Sequence, residues 1–216
     1  MTKHSRVSGV YAITPEIEDT SELVKRGTAA LVGGIRIIQY RNKTGSASLR
    51  REQCLALLER LRGVGGTLIV NDDINLAFDV QADGVHLGKD DESFADARHK
   101  LGDNKIIGVS CYNDFARARA LQAAGADYIA FGSFFPSVTK PTAVGASIDL
   151  LVRAKAELKV PVVAIGGINK ENAGDLINAG ADAIAVLSAL FLVDDVEQEA
   201  EFFSSLFADR HLQCQH

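Results

Sequence analysis

The segment Ala124–Gly132, AGADYIAFG, joins the end of a helical pattern to a short apolar run that has the character of a β-strand. The same joint, AGAD, recurs at Ala179–Asp182, directly before the apolar run Ala183–Leu187. A glycine at this place predicts a left-handed residue that ends the helix and turns the chain towards the next strand. A looser version, QADG, occupies Gln81–Gly84. The repetition predicts a chain built from one helix-and-strand unit used many times.

Apolar runs and longer helical patterns alternate from one end of the chain to the other. Strict alternation predicts parallel strands joined by right-handed crossovers, and runs that are apolar on both faces suit strands buried on both sides. Eight units in 216 residues favour a closed (β/α)8 TIM barrel over a doubly wound open sheet, which normally has fewer strands. We therefore predict a single α/β domain over residues 1–216, with the barrel at about 9–190 and a helical extension at 195–208. The predicted strands are Val10–Thr14, Ile35–Tyr40, Leu68–Asn71, Gly84–Leu87, Ile106–Ser110, Tyr128–Gly132, Val162–Ile165 and Ala183–Leu187, and the clearest helical segments are Ser21–Leu31, Leu49–Leu61, Ser147–Leu158 and Asn169–Ala179.

Composition excludes several classes of function. The net charge of -5 provides no field that would attract nucleic acid or an anionic membrane surface. The three cysteines are widely spaced, which predicts a reduced, cytoplasmic chain. No two of the five histidines are four residues apart, which argues against a metal site built from histidines. No run approaches the ~18 apolar residues of a membrane span.

A polar stretch, QYRNK at Gln39–Lys43, follows the second predicted strand. Because side chains alternate along a strand, Gln39, Arg41 and Lys43 are expected to leave the same face. Three donors with no acidic partner on that face suit a multiply charged anion, since arginine offers a bidentate fork and lysine a point charge. The alternative is an exposed strand end that merely carries charge.

Polar residues gather where the predicted strands end, which is the face of a parallel barrel that carries chemistry. Asp72 and Asp91 follow neighbouring strands, and their carboxylates would suit one Mg²⁺. The alternative for each acidic pair is helix capping, a role that we assign to Asp73 and Asp90. The other polar residues at these ends are Asn71, His86, Lys89, Ser110, Ser137, Thr139 and Lys140.

A second patch combines Gly166–Gly167 with Leu187–Ser188, after the seventh and eighth strands. Barrels often bind a phosphate group here on backbone N–H groups that glycine leaves unobstructed. The alternative is a tight turn that simply needs glycine. Two anion sites on one rim, one of them with a metal, predict two phosphorylated substrates that are joined with loss of diphosphate.

From Tyr11 to about Leu190 the chain resembles the thiamine-phosphate synthase (thiamine-phosphate pyrophosphorylase) family. No single motif is decisive, but seven in order at the expected strand ends make a specific signature. The matching segments are Gln39–Lys43, Asn71–Asp72, Gly84–Gly88 with Asp91, Gly108–Ser110, Gly132–Lys140, Gly166–Ile168 and Val186–Ser188.

This resemblance implies a transferase that joins 4-amino-2-methyl-5-hydroxymethylpyrimidine diphosphate to a thiazole phosphate with Mg²⁺, giving thiamine phosphate and diphosphate. Diphosphate would depart first, and the thiazole nitrogen would then attack. The residues implied to hold the pyrimidine diphosphate are Gln39, Arg41, Lys43, Asn71, Ser110 and Lys140, of which Arg41, Lys43, Ser110 and Lys140 would be catalytic. Asp72 and Asp91 would bind Mg²⁺, and the thiazole phosphate would bind at Ser137, Thr139, Gly167, Leu187 and Ser188.

Three positions depart from the family pattern. Lys89 stands where glutamine is usual, Ser133 where proline is common and Ser137 where threonine is common. None removes a group that the chemistry needs, although Ser133 is expected to loosen the start of the loop after the sixth strand. The role of His86 stays open between a hydrogen bonder in the pyrimidine site and a structural residue.

Two other functions fit parts of the pattern. A thiazole tautomerase would share the barrel but would not need Gln39, Arg41 and Lys43. A non-catalytic barrel that binds a phosphorylated metabolite would leave the acidic pair unexplained. Near the C-terminus, the phenylalanines of Ala200–Phe207 predict either packing against the first helix or a homodimer contact.

Overall fold

A computed structural model describes residues 3, 6–89, 93–136 and 145–213 of the chain. Eight parallel strands close into a barrel in sequence order, with the first strand paired to both the second and the eighth. The predicted TIM barrel is confirmed. The strands are β1 (Gly9–Ile13), β2 (Ile37–Tyr40), β3 (Thr67–Asn71), β4 (Gly84–Leu87), β5 (Ile106–Tyr112), β6 (Tyr128–Gly132), β7 (Val162–Ile165) and β8 (Ala183–Val186).

Helices follow the strands around the outside of the barrel. They are α1 (Thr20–Val32), α2 (Ala47–Gly63), α3 (Ile74–Asp79), α4 (Phe94–Leu101), α5 (Phe115–Ala123), α6 (Ile148–Glu157), α7 (Ala173–Asn178), α8 (Ser188–Phe191) and α9 (Val196–Gln213). The helix predicted from Asn169 begins only at Ala173, because the Asn169 carboxamide accepts hydrogen bonds from Glu171 N and Asn172 N and forms a turn first.

The repeated joint has the predicted geometry. Gly125 and Gly180 adopt φ angles of 98° and 108°, a region that favours glycine. The aspartates that follow, Asp127 and Asp182, and their counterpart Asp83, each accept a hydrogen bond from the neighbouring strand. The donors are Leu68 N to Asp83 at 2.9 Å, Ile107 N to Asp127 at 2.8 Å and Val162 N to Asp182 at 2.9 Å. The joint therefore ties strand to strand at the end of the barrel opposite the predicted site.

Side chains on the strands alternate between two buried layers. One layer, which includes Ile38 and Val70, packs under the helices. The other, which includes Tyr11, Ile37 and Tyr128, fills the barrel interior. Because side chains fill the interior, chemistry is confined to the open ends of the strands.

Helix α9 packs against the end of α1. Phe203 is fully buried, and Phe202 and Phe207 are partly buried against the core. Ser204 Oγ donates a hydrogen bond to the Gly33 carbonyl oxygen at 2.9 Å. Helix α9 as a whole thus packs against α1, and its phenylalanines are wholly or partly covered by the core. Within the described residues, no helix is both long enough and apolar enough to cross a membrane.

Candidate active site

Gln39 lies at the end of β2 and points into the barrel. Its side chain is only 4% exposed, and Nε2 donates to the Tyr11 hydroxyl at 3.1 Å. Just beyond the strand, the backbone N–H of Arg41 donates to Thr14 Oγ1 at 2.9 Å. The chain leaving β2 is therefore anchored to the chain leaving β1.

Both cations of this stretch have acidic partners, so the expectation of donors without one was wrong. Arg41 Nη1 lies 2.9 Å from Glu16 Oε1, and Lys43 Nζ lies 3.2 Å from Asp72 Oδ2. Glu16 comes from the loop after β1 and Asp72 from the end of β3. Spacing along one strand cannot reveal partners that neighbouring strands supply.

Glu16 also holds the loop after β2. Its Oε2 accepts from Thr44 Oγ1 at 2.8 Å. This hydrogen bond, together with the Lys43 backbone and Arg41, lowers the pKa of Glu16 below its usual value, so that the carboxylate is ionised at neutral pH. The Arg41 and Glu16 side chains are each 31% exposed, which leaves the pair open to exchange with an incoming anion.

Adjacent aspartates at the end of β3 have different roles. Asp73 caps α3, with its carboxylate accepting from Leu76 N at 2.8 Å, which confirms the predicted capping role. Asp72 has a φ of 64°, and its backbone N–H donates to the His86 carbonyl at 2.9 Å. Among the described residues, the Asp72 side chain has Lys43 as its one partner.

The Asp72 carboxylate fits Mg²⁺ in its chemistry. Mg²⁺ prefers oxygen ligands, and one or two carboxylates commonly hold it together with waters and substrate phosphates. Within the described ranges, no three or more histidine, cysteine, aspartate or glutamate side chains lie in an arrangement that could hold a metal ion. The second predicted ligand, Asp91, and the predicted cap Asp90 lie outside the described residues. Asp72 therefore suits a metal site in which waters and substrate phosphates supply the other ligands. The described residues alone do not provide a complete set of protein ligands.

His86 lies at the end of β4 between two hydroxyl groups. Its Nδ1 is 2.9 Å from the Tyr128 hydroxyl and its Nε2 is 2.8 Å from Ser110 Oγ. The imidazole stacks on the Tyr128 ring with centroids 5.5 Å apart. The sequence did not single out Tyr128 or Tyr11, because an aromatic residue inside an apolar run is normally core. The one available signal was Gly108, which leaves the space that the Tyr128 ring fills.

The turn after β7 requires both of its glycines. Gly166 and Gly167 have φ angles of 103° and 65°. A Cβ on Gly166 would lie 2.2 Å from Ser133 Oγ, and one on Gly167 would lie 2.5 Å from the Pro136 carbonyl oxygen. The interpretation of these glycines as a tight turn is therefore confirmed. The predicted phosphate group would bind to backbone N–H groups of the same turn.

Ser188 starts the short helix α8, and Leu187 precedes it as the N-cap residue. The first N–H groups of a helix have no intrahelical partner. These groups lie at the end of β8, next to β7 and its glycine turn. The other residues predicted to bind phosphate, Ser137, Thr139 and Lys140, lie outside the described residues.

Two of the three positions that depart from the family pattern, Ser133 and Lys89, lie within the described residues. Ser133 Oγ donates to the Phe135 carbonyl at 2.6 Å, and the Ser133 carbonyl accepts from Ala146 N at 2.8 Å. These hydrogen bonds tie the start of the loop after β6 to nearby backbone, and the expected loosening at Ser133 stays a prediction. Lys89, the other departure within the described residues, is exposed.

A groove of about 660 Å³ is lined by residues of α1, of α2 and of the loop that precedes α1. Four of the five charged residues in its lining are acidic, which disfavours a phosphorylated substrate. They are Glu18, Asp19, Glu52 and Glu59. The cations and hydroxyl groups at the ends of β2 to β5 are the better site for an anionic ligand.

Comparison with known proteins agrees with this geometry. A protein-family model described as thiamine monophosphate synthase matches residues 10–190. The thiamine-phosphate synthase of Nitrosospira multiformis is 53% identical over 201 residues, which cover 93% of this chain and 86% of that protein. Thiamine-phosphate synthase of Thiobacillus denitrificans is 52% identical over 200 residues, covering 93% of this chain and 95% of that protein. The structure of thiamine phosphate pyrophosphorylase from Pyrococcus furiosus superimposes with a TM-score of 0.84 at 33% identity, covering 96% of this chain and 98% of that one.

Proposed function

The chain belongs to the thiamine-phosphate synthase family, and on that premise we propose that it is the transferase that joins 4-amino-2-methyl-5-hydroxymethylpyrimidine diphosphate to a thiazole phosphate. The products are thiamine phosphate and diphosphate. The observation that carries this proposal is the grouping of Gln39, Arg41 and Lys43 beside Asp72 at the ends of β2 and β3. These are the groups that a metal-bound diphosphate needs.

The diphosphate binds to the ends of β2, β3 and β5. Arg41 and Lys43 supply two positive charges on side chains that are 31% and 56% exposed and therefore reachable. Arginine can bind two phosphate oxygens at once, and lysine follows as a point charge. Neutral donors complete the set at Gln39, Asn71 and Ser110, and Lys140 is assigned here by resemblance.

Asp72, and by resemblance Asp91, would hold Mg²⁺, which would supply positive charge against the charge that develops on the leaving diphosphate. Lys43 Nζ lies 3.2 Å from Asp72 Oδ2, so its positive charge would be available to a diphosphate beside this metal ligand.

The reaction begins with departure of diphosphate from a carbon attached to an electron-rich aminopyrimidine. Fixed donors at the rim stabilise the leaving charge, and binding in one cleft holds the second substrate in line. The thiazole nitrogen attacks with a free lone pair and carries no proton, so no general base is needed. The described rim agrees with this, since both ring nitrogens of His86 face neutral hydroxyl groups.

The thiazole phosphate binds at the ends of β7 and β8. Gly167 adopts a left-handed conformation after β7, and Leu187 and Ser188 begin α8 after the neighbouring strand β8. Backbone N–H groups at such a position suit a phosphate group. Ser137 and Thr139 are assigned to this subsite by resemblance alone.

Measuring diphosphate release separates this function from its competitors. The purified protein receives the pyrimidine diphosphate and Mg²⁺, with and without the thiazole phosphate. A synthase releases diphosphate in step with consumption of the thiazole phosphate. A tautomerase would isomerise a thiazole phosphate without releasing diphosphate, and a non-catalytic barrel would change neither compound.

We also propose that the protein works in the cytoplasm, without a nucleic-acid partner, and that it can form a homodimer. Cys54 and Cys111 are free and buried, which suits a reducing compartment such as the cytoplasm. A net charge of -5 favours no nucleic-acid partner. A homodimer would be the commonest symmetric assembly. Sedimentation at micromolar concentration decides this, since a lone 23.1 kDa species would exclude the dimer.

A further inference from the structure

A chain of hydrogen bonds crosses the interior of the barrel beneath the proposed diphosphate site. It runs from Gln39 Nε2 to the Tyr11 hydroxyl at 3.1 Å, and from there to the Tyr128 hydroxyl at 2.6 Å. It continues to His86 Nδ1 at 2.9 Å and from His86 Nε2 to Ser110 Oγ at 2.8 Å. Its two ends are proposed diphosphate ligands, whereas its middle has no role in the function proposed above.

Glycine at position 108 leaves room for the Tyr128 and His86 side chains in the middle of this row of hydrogen bonds. Strand register places Gly108 of β5 between His86 of β4 and Tyr128 of β6. A Cβ on Gly108 would lie 1.9 Å from the Tyr128 ring. The missing side chain therefore lets the Tyr128 ring cross β5 and stack on His86.

The amide of Gln39 sets the direction of the hydrogens. Its Nε2 can only donate, so the Tyr11 oxygen accepts. The hydrogen of Tyr11 then goes to the Tyr128 oxygen, its other described partner. The hydrogen of Tyr128 in turn goes to His86 Nδ1.

The opposite direction leaves a hydrogen without an acceptor. If Tyr128 donated to Tyr11, the Tyr11 oxygen would receive two hydrogens and its own would face no described acceptor. Tyr11 is only 2% exposed, so water does not replace that partner readily. A buried donor without an acceptor is costly. Burial also raises the pKa of both phenols, so each keeps its hydrogen at physiological pH.

We infer that Tyr11 and Tyr128 are positioning residues that hold His86 in the tautomer protonated at Nε2 and thereby make the Ser110 hydroxyl a hydrogen-bond donor towards the anion. His86 Nε2–H donates to Ser110 Oγ, so the hydrogen of Ser110 is left for a group at the barrel mouth. Were the tautomer reversed, Ser110 would give its hydrogen to His86 and turn oxygen lone pairs towards the diphosphate. This inference rests on the proposed function for the identity of the anion alone.

Nitrogen NMR of the ligand-free protein tests the tautomer directly. The ring nitrogens of His86 are observed in 15N-histidine-labelled protein and assigned by comparison with His86→Gln. We expect an unprotonated Nδ1 and a protonated Nε2. An unprotonated Nε2, or protons on both nitrogens, overturns the inference. Because no substrate is present, a protein with the expected tautomer and no synthase activity would overturn the proposed function alone.

Two variants test how the tautomer is set. Tyr128→Phe keeps the ring against Gly108 but removes the donor to Nδ1, and should abolish the preference for the Nε2–H tautomer. Gln39→Glu replaces the amide donor with a carboxylate that only accepts. Every hydrogen bond from Tyr11 to Ser110 should then reverse its direction, and the proton of His86 should move to Nδ1. Tyr40→Phe is the matched control, because it removes a buried hydrogen bond to Gln53 outside the barrel interior. An unchanged His86 tautomer in both interior variants overturns the inference, even if one of them folds poorly.

A double-mutant cycle tests whether Tyr128 acts through Ser110. Tyr128→Phe alone should lower kcat/KM about 10-fold or more, the scale of one hydrogen bond to a charged group. In a Ser110→Ala background the same change should cause no further loss. An equal loss in both backgrounds would mean that Tyr128 is merely structural, and would overturn its assignment as a positioning residue.

Discussion

Lys43 and Asp72 form an ion pair across the ends of β2 and β3, with Nζ 3.2 Å from Oδ2. The proposed diphosphate ligand thus neutralises the proposed metal ligand before either binds its own partner. In the proposed function, Asp72 would exchange Lys43 for Mg²⁺, and the Lys43 ammonium would then be free to pair with the diphosphate. The pair is partly exposed, so breaking it costs little.

Replacing Asp72 with asparagine should abolish Mg²⁺-dependent turnover while the barrel stays folded. Asparagine is the suitable replacement because it tolerates the φ of 64° at this position. Turnover measured against Mg²⁺ concentration, with circular dichroism for folding, checks this. Full activity of the variant would remove Asp72 from the site.

Asp73→Ala provides the matched control for that experiment. Asp73 caps α3 and pairs with Arg50, so its loss should cost about 1 kcal/mol of the free energy of unfolding. Its Mg²⁺ dependence should match that of the wild type. Urea denaturation measures the first effect and turnover the second.

Arg41→Lys keeps the charge but loses the bidentate fork. We expect kcat/KM for the pyrimidine diphosphate to fall about 10-fold or more, on the scale of one charge-assisted hydrogen bond. Arg153→Lys is the control, since Arg153 pairs with Glu157 on an exposed helix surface and should tolerate the change. Equal kinetics in the two variants would mean that Arg41 does not contact the substrate.

Gly108→Ala should destabilise the barrel because the added methyl group collides with the Tyr128 ring at 1.9 Å. Overpacking of this kind typically costs about 1–3 kcal/mol. Gly174→Ala is the control, because a Cβ there meets nothing within 4 Å and the position is helical. That variant should be neutral or more stable by up to about 1 kcal/mol. Equal urea midpoints for the two variants would contradict the packing described.

Glu16→Gln should lower stability at neutral pH but not in acid. The Thr44 hydrogen bond and its neighbours lower the pKa of Glu16 in the folded state. Its contribution is therefore present above the ordinary glutamate pKa and is lost as the pH falls through the lowered value. The partial exposure of Glu16 limits the difference to about 1 kcal/mol. A wild-type advantage that grows in acid would contradict this.

The sequence revealed the barrel because the signals were local and repeated. The glycine joint at Gly125 and Gly180 and the apolar runs follow from backbone and burial rules that act within a few residues. Asp73 was assigned to its cap for the same reason.

Contacts between distant parts of the chain were beyond such reasoning. Arg41 meets Glu16 from 25 positions away, and Tyr11 meets Tyr128 from 117 positions away. Only closure of the barrel brings these pairs together. The direction of the hydrogen bonds between Gln39 and Ser110 depends on such contacts and could not be predicted from the spacing of residues in the sequence.

The most direct test is identification and quantification of the products from purified protein, both substrates and Mg²⁺. We expect thiamine phosphate and diphosphate to accumulate in equal amounts, and neither to form when one substrate is omitted. Diphosphate without thiamine phosphate, or a rearranged thiazole phosphate without diphosphate, would contradict the proposed synthase.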